Sequence, residues 1–362
     1  MALAIMCLSV TVWTQSNCIF DGILSVIGKL YYMMNFKICE LGVEPILVSL
    51  CYKVVSHDKH SLKAQGETMD WQGQLIHLFV YISKHHKHHL EIYCQRLSPN
   101  ACPEFSDEEV ITVYLCGVLR GHQEIKAIHN YTQDHLRAWF PKLPSYATYI
   151  QRLNRIADVF VPLISQIQQD FPPITDSTII RLIDSMPIMM AKFQRSGSAK
   201  VAPELANKGY NSTKKTYYYG VKLHILAFRR QGQLPLPDYV GMTPASEADI
   251  NVLKAIAEDI YDTPVYADKA YISELLSQSL AEQGASLCTP IKKEKGQQEL
   301  SLFQAAFSTL VSQVRQPIES LFNWIQEKTG IQVASKVRSS QGLRVHVFGK
   351  IAAAMFLWLP NF

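Results

Sequence analysis

Three acidic residues in the second half of the chain stand where a carboxylate needs a partner. Asp184 lies in the middle of Ile179 to Met190 (IIRLIDSMPIMM), an apolar run that reads as a strand buried on both faces. An ionised carboxylate there costs several kcal/mol unless it is paired, hydrogen-bonded or metal-bound. Asp268 directly follows Val265-Tyr266-Ala267, at the carboxyl end of a second strand, where open α/β sheets place their sites. Glu319 falls on a late helix beside an apolar face of Ile318, Phe322 and Ile325. The three are separated by 84 and 51 residues, which leaves no room for a large inserted domain.

Two Asp and one Glu, without His or Cys, form a hard all-oxygen donor set that suits two Mg²⁺ ions, with Mn²⁺ able to substitute. Two such cations about 4 Å apart can activate a water against a phosphodiester and stabilise the leaving 3′ oxygen. An attacking 3′-OH is an equivalent nucleophile, so one site can cut and join. Without metal, converging carboxylates repel by about 4 kcal/mol per pair at an effective dielectric near 20, and at least one pKa rises. Plainer uses exist for each residue. Asp184 could satisfy a buried Arg or backbone amides, and Asp268 could cap the helix near Ser273. Glu319 could be the i,i+4 partner of Arg315, worth about 0.3–0.5 kcal/mol. Pro317 either kinks that helix or starts a new one.

The elements that must position these residues begin after Pro173. Strands are expected at Ser177 to Met190, Thr216 to Arg229 and Tyr239 to Thr243. A helix follows over Ala248 to Tyr261, then the strand Pro264 to Ala267, the helix Ser273 to Gln283 and the strand Ser286 to Pro290. A helical stretch spans Leu300 to Lys328, and Gly342 to Leu359 is a last helix. Strands first, then helix–strand alternation, imply a mixed sheet covered by helices.

With LIDSMPI around Asp184, YYYGVKLH at Tyr217 to His224, VYADKAY around Asp268 and R-x-x-x-E at Arg315 and Glu319, the chain resembles the DDE transposases of bacterial insertion sequences. The resemblance covers Ser177 to the C-terminus. It implies an α/β, ribonuclease H-like catalytic domain over 174–362, with Asp184, Asp268 and Glu319 as catalytic metal ligands. It also implies a transposase that binds the element's terminal repeats and performs metal-dependent strand cleavage and strand transfer. The implied setting is the cytoplasm, at the nucleoid, with double-stranded DNA as partner and a homodimer in the DNA complex. The alternative is a decayed remnant that only binds DNA. Many relatives carry a Tyr three residues before the Arg and a Lys seven after the Glu. Here Ser312 and Gln326 stand at those positions, with Lys328 nearby.

Positive charge gathers between the first two strands. From Lys192 to Lys222 seven basic residues face one acid, Glu204, with Tyr210, Tyr217, Tyr218 and Tyr219 interleaved. The pattern suits a surface that tracks phosphates, through Arg195, Lys208, Lys214, Lys215 and Lys222, although a solvated loop would look the same. Lys269 and Arg315, beside the acids, are further candidates for DNA contact. Tyr271 and Trp324 could stack on an unpaired base or belong to the core.

Residues 69–173 read as an all-α domain that would bind DNA. Trp71 to Cys94 is one helix, whose Lys84-His85-His86-Lys87-His88-His89 run reads as a solvated basic face. Ser106-Asp107-Glu108-Glu109 is a capping box opening a second helix, and Gly121 ends it. Glu124 to Phe140 and Tyr146 to Gln168 are the next two. The Gly-containing turn between the second and third resembles a helix-turn-helix, which would lay Gln123 to Arg137 across a groove, though most such hairpins are packing units.

Residues 1–68 hold half of the eight cysteines and sustain neither helical nor strand periodicity, so the working protein is expected to begin near Met69. No Lys or Arg precedes their apolar opening, and polar residues interrupt it, which argues against a signal peptide or membrane helix. At 48% hydrophobic, 18% charged and net charge +4, the 362 residues suit a protein with sizeable cores. Cysteines without CxxC pairs fit a reducing compartment better than a disulfide framework.

Overall fold

A computed structural model of the chain describes residues 71–96, 103–171, 174, 179–212, 214–293, 296–359 and 362. The expectation of a start near Met69 therefore concerns residues that lie outside those described. From Thr68 onward the chain is one compact unit.

Five helices come first. Helix α1 (Trp71–His85) continues through a π turn at His86–Leu90 into Glu91–Cys94. Helix α2 (Asp107–Leu119) begins with the capping box in full: Glu109 N–H donates to Ser106 Oγ, and Ser106 N–H donates to Glu109 Oε2. It ends where Gly121 takes a φ of 83°, a conformation that favours glycine. Helices α3 (Ile125–His135), α4 (Tyr146–Arg155) and α5 (Phe160–Gln169) complete the group. In the histidine run Lys84, Lys87, His88 and His89 are exposed, as a solvated basic face requires, and the other two are not. His85 is buried beside Asp170, and His86 lies 3.1 Å from Glu108 on α2. The run is built partly into the π turn and packs against neighbouring helices.

The sheet is built from β1 (Arg181–Lys192), β2 (Asn207–Asn211), β3 (Thr216–Phe228), β4 (Leu236–Pro244), β5 (Pro264–Tyr266) and β6 (Ser286–Cys288). Strand β3 is the widest contributor. One edge pairs antiparallel with β1 along its length, and the other is shared by β2 and β4. Strands β5 and β6 extend the sheet beyond β1 in parallel. This is the mixed sheet that the order of elements implied. Strand β2, inside the basic stretch, was not foreseen: its NKGYN sequence lacks apolar alternation, and only pairing with β3 orders it. Gly220 is required where β3 passes β1, since a Cβ there would collide with the Ile188 carbonyl oxygen.

Helices cover both faces of the sheet. Helix α6 (Asp249–Ile256) and helix α7 (Glu274–Glu282) close over Ile183, Leu226 and Val265. On the other face, Leu182, Met186, Ile188, Leu223 and Ile225 share one apolar cluster with helix α9 (Pro317–Thr329), the N-terminal helices and the last helices, α10 (Ser340–Arg344) and α11 (Lys350–Phe356). The helical stretch after Leu300 divides at Gln316 into α8 (Leu302–Arg315) and α9. Pro317 starts α9, where its missing N–H goes unneeded.

Candidate active site

Register brings the two aspartates together. Leu182 stands opposite Tyr266 in the parallel β1–β5 ladder. Asp184 lies two residues further along β1 and Asp268 two residues past the end of β5, near enough for its charge to raise the Asp184 carboxyl. Strand β5 ends at Tyr266, and Ala267 N–H still donates to Cys288 O on β6, which holds Asp268 at the sheet's carboxyl edge. There it is exposed and accepts the Lys269 N–H at 2.6 Å.

Glu319 arrives by a different route. After α9 the chain returns to β1: Met189 N–H donates to Gln332 O at 2.8 Å, and Ala334 N–H donates to Met189 O at 2.9 Å. This clamp, with Ile318, Leu321, Phe322 and Ile325 buried on the sheet, lays α9 alongside β1. Glu319, in the first turn of α9, is left on the outer side with its side chain 54% exposed.

Arg315, the last residue of α8, joins two of the three acids. Its Nη1 donates to Asp184 Oδ2 at 2.6 Å and its Nη2 to Glu319 Oε1 at 2.7 Å. Ser185 N–H donates to the other Asp184 oxygen at 2.8 Å. Burial still pushes the Asp184 carboxyl up to about 6. Arg315 and the Ser185 N–H pull against that rise, while the charges of Asp268 and Glu319 add to it. The three carboxylates are therefore close enough to feel one another.

The donor set fits a hard divalent cation in kind: the three side chains are carboxylates, and the buried one calls for positive charge. As the side chains stand, the guanidinium supplies that charge. Among the described residues no three acidic, His or Cys side chains are gathered at metal-holding distance. Beside Asp268 and Lys269 opens a cleft of about 470 Å³ whose far wall is the polar face of α8, with Ser308, Thr309, Ser312, Gln313 and Gln316. Sequence reasoning missed these residues, although their i, i+4 and i+8 repetition signalled one polar face.

The candidates for DNA contact divide. Arg195, Lys208, Lys214, Lys215 and Lys269 are exposed. The Lys208 ammonium sits 4.6 Å from the centre of the Tyr217 ring, which itself packs on Tyr210. Lys222 does not belong with them: its Nζ donates to Glu247 O and Asp249 Oδ1, both at 2.8 Å, and ties β3 to the start of α6. Tyr271 is wholly buried under the sheet, so it cannot stack on a base. Trp324 is turned from Glu319 by five helical positions and packs on Trp358 with ring centres 4.6 Å apart. Tyr218 and Tyr219 are buried as well. The three tyrosines are drawn in because a large ring stabilises the core more than it gains at the surface, while Trp324 stays half-buried. Arg315 is engaged by acids and is 14% exposed.

Between α3 and α4 lies a second, open groove of about 650 Å³, lined by His129, Asn130, Gln133, Arg137 and Tyr146. Among the described residues no helix is long and apolar enough to cross a membrane.

Residues 174–339 match a family model described as a transposase DDE domain. Comparison with curated proteins finds no match.

Proposed function

Through residues 174–339 the chain belongs to the DDE transposases, and from that premise we propose that it cuts and joins DNA at Asp184, Asp268 and Glu319, using Mg²⁺. The observation that supports this reading is the parallel pairing of β1 with β5, which leads Asp184 and Asp268 to the same end of the sheet, with Glu319 linked to Asp184 through Arg315. A divalent cation bound by these carboxylates would polarise the phosphoryl oxygens and lower the pKa of the attacking water or 3′-OH.

The chain's own residues do the rest. Strand β1 fixes Asp184 on the sheet, the end of β5 leads into Asp268, and the Met189 clamp holds α9 and with it Glu319 beside β1. Lys269, at the rim of the cleft, would hold the phosphate on the Asp268 side. Arg195, Lys208, Lys214 and Lys215 would steer and position the flanking backbone without reading sequence. Recognition of the element's ends falls to the helices of residues 69–173, where the α3–α4 groove offers polar side chains and a guanidinium. The working assembly on DNA is a homodimer.

Replacing Asp184, Asp268 or Glu319 with Ala should abolish nicking and strand transfer on the element's end DNA in Mg²⁺, while end binding by gel shift survives. Loss of a metal ligand removes several kcal/mol of transition-state stabilisation. An Asp268→Ala protein nicking within about tenfold of wild type would remove that residue from the site.

A further inference from the structure

Arg315 occupies the space between two of the proposed metal ligands. Its guanidinium touches Asp184 and Glu319 at 2.6 and 2.7 Å, and its side chain is almost out of solvent. Its Nε, also buried, has no hydrogen-bond partner. A guanidinium evolved to be a permanent strut normally has its donors spent. Here the group is retained by charge, with one donor idle, while Asp268 keeps an oxygen that no described side chain takes. A cation between Asp184 and Glu319 would meet a fixed positive charge within a few ångströms, and the two cannot share those oxygens.

A phosphate group can resolve the competition. Arg pairs with phosphate by the same two-pronged hydrogen bonding that it gives a carboxylate. The cleft beside Asp268 is lined by hydroxyls and amides of α8 and by Gln316, the residue after Arg315, with Lys269 at its rim, so a DNA backbone lying there would bring phosphates to the end of α8 that carries Arg315. Resting on the reading of Asp184, Asp268 and Glu319 as metal ligands, we propose that Arg315 is the resident counter-ion of the empty carboxylate site, and that DNA must draw it off before a divalent cation binds between Asp184 and Glu319. Binding is then ordered, DNA before metal, and the free protein cannot cut. The same side chain positions the two carboxylates while the cation is absent and the phosphate once it is present.

The test reads metal binding directly, by the electron paramagnetic resonance of free Mn²⁺, with and without a short duplex of arbitrary sequence at low salt. Asp184→Asn with duplex sets the background from DNA phosphates. Wild type should bind Mn²⁺ weakly alone and about tenfold or more tightly with duplex, the size expected when a point charge leaves a dication's neighbourhood. Arg315→Gln should bind tightly without DNA and show no further gain. Arg315→Lys keeps the charge but cannot bridge both acids, and should fall between. It also carries the test if the Gln protein fails to fold. Lys269→Gln should keep the dependence on DNA. Equal Mn²⁺ affinity of wild type with and without duplex would overturn the proposal, and so would equal tightening by Lys269→Gln, which would reveal only general electrostatics. If Asp184→Asn binds Mn²⁺ as well as wild type, the carboxylate reading itself fails, and the inference falls with it.

Discussion

At the scale of single residues, Asp184 is the position where stability and chemistry pull apart. Its carboxylate sits in an apolar strand, and even with Arg315 and a backbone N–H beside it, burial keeps its charge costly. A carboxyl whose pKa is raised in the fold loses stability when it ionises, and a neutral amide of the same shape escapes that cost. Asp184→Asn should therefore leave the metal-free protein as stable as wild type, or more stable by roughly 1–3 kcal/mol, while abolishing nicking. Urea unfolding and a nicking assay on the same preparation check both halves. A loss of more than about 2 kcal/mol would mean that the Asp184–Arg315 pair is chiefly structural. The carboxylate was legible in the sequence because its neighbours are apolar. Its guanidinium partner was not, because the plain reading of Arg315 stopped at the residue four places along its own helix, and Asp184 lies 131 positions away.

At the scale of elements, the basic stretch separates into lysines that face solvent and one that joins strands. Lys214 and Lys215 lie in the turn between β2 and β3, exposed, whereas Lys222 points from β3 onto the first residue of α6. Alternation along β3 decides this, since positions 221, 223 and 225 bury one face while 222 and 224 serve the other. Replacing Lys214 and Lys215 together with Ala should flatten the log–log dependence of DNA affinity on salt by up to about two, equally for end and unrelated DNA. Lys222→Ala should leave that slope unchanged and cost about 1–3 kcal/mol of stability, because Asp249 and the Glu247 carbonyl lose their donor. Titrations at several salt concentrations, with urea midpoints beside them, separate the two kinds of lysine. An altered slope for Lys222→Ala would return it to the DNA surface.

At the scale of the whole molecule, the C-terminal helices bind the sheet to the N-terminal helices through one apolar cluster, and His224 is buried and His346 half-buried. His346, between α10 and α11, meets the Ile331 carbonyl at 2.8 Å, and burial lowers its pKa to about 3. His224 on β3 meets Thr243 Oγ1 at 2.7 Å, and burial lowers it to about 4. Both imidazoles are neutral in the fold and protonate near 6.5 when unfolded. The unfolded chain thus binds more protons below that value, so the stability they contribute is present above pH 6.5 and is lost as pH falls through about 4 and about 3. Urea midpoints from pH 7 to pH 4 should fall more steeply for wild type than for His346→Gln. Equal slopes would exclude His346 from the acid transition.

The sequence by itself determined the kinds of elements and their order, strand β2 apart, because apolar periodicity, capping residues and prolines act over a few positions. It marked the capping box at Ser106, a break at Pro317 that could be a kink or a new start, and all three carboxylates. Tertiary structure alone decided which side chains reach one another. The β1–β5 pairing brought Asp184 and Asp268 to one end of the sheet, the Met189 clamp brought α9 to β1, burial withdrew Tyr271 from the DNA candidates, and Trp324 and Lys222 were engaged by Trp358 and Asp249. Those outcomes depend on strand register and helix packing between residues far apart in the chain. A one-residue slip in register turns a side chain to the opposite face while leaving the local sequence pattern unchanged.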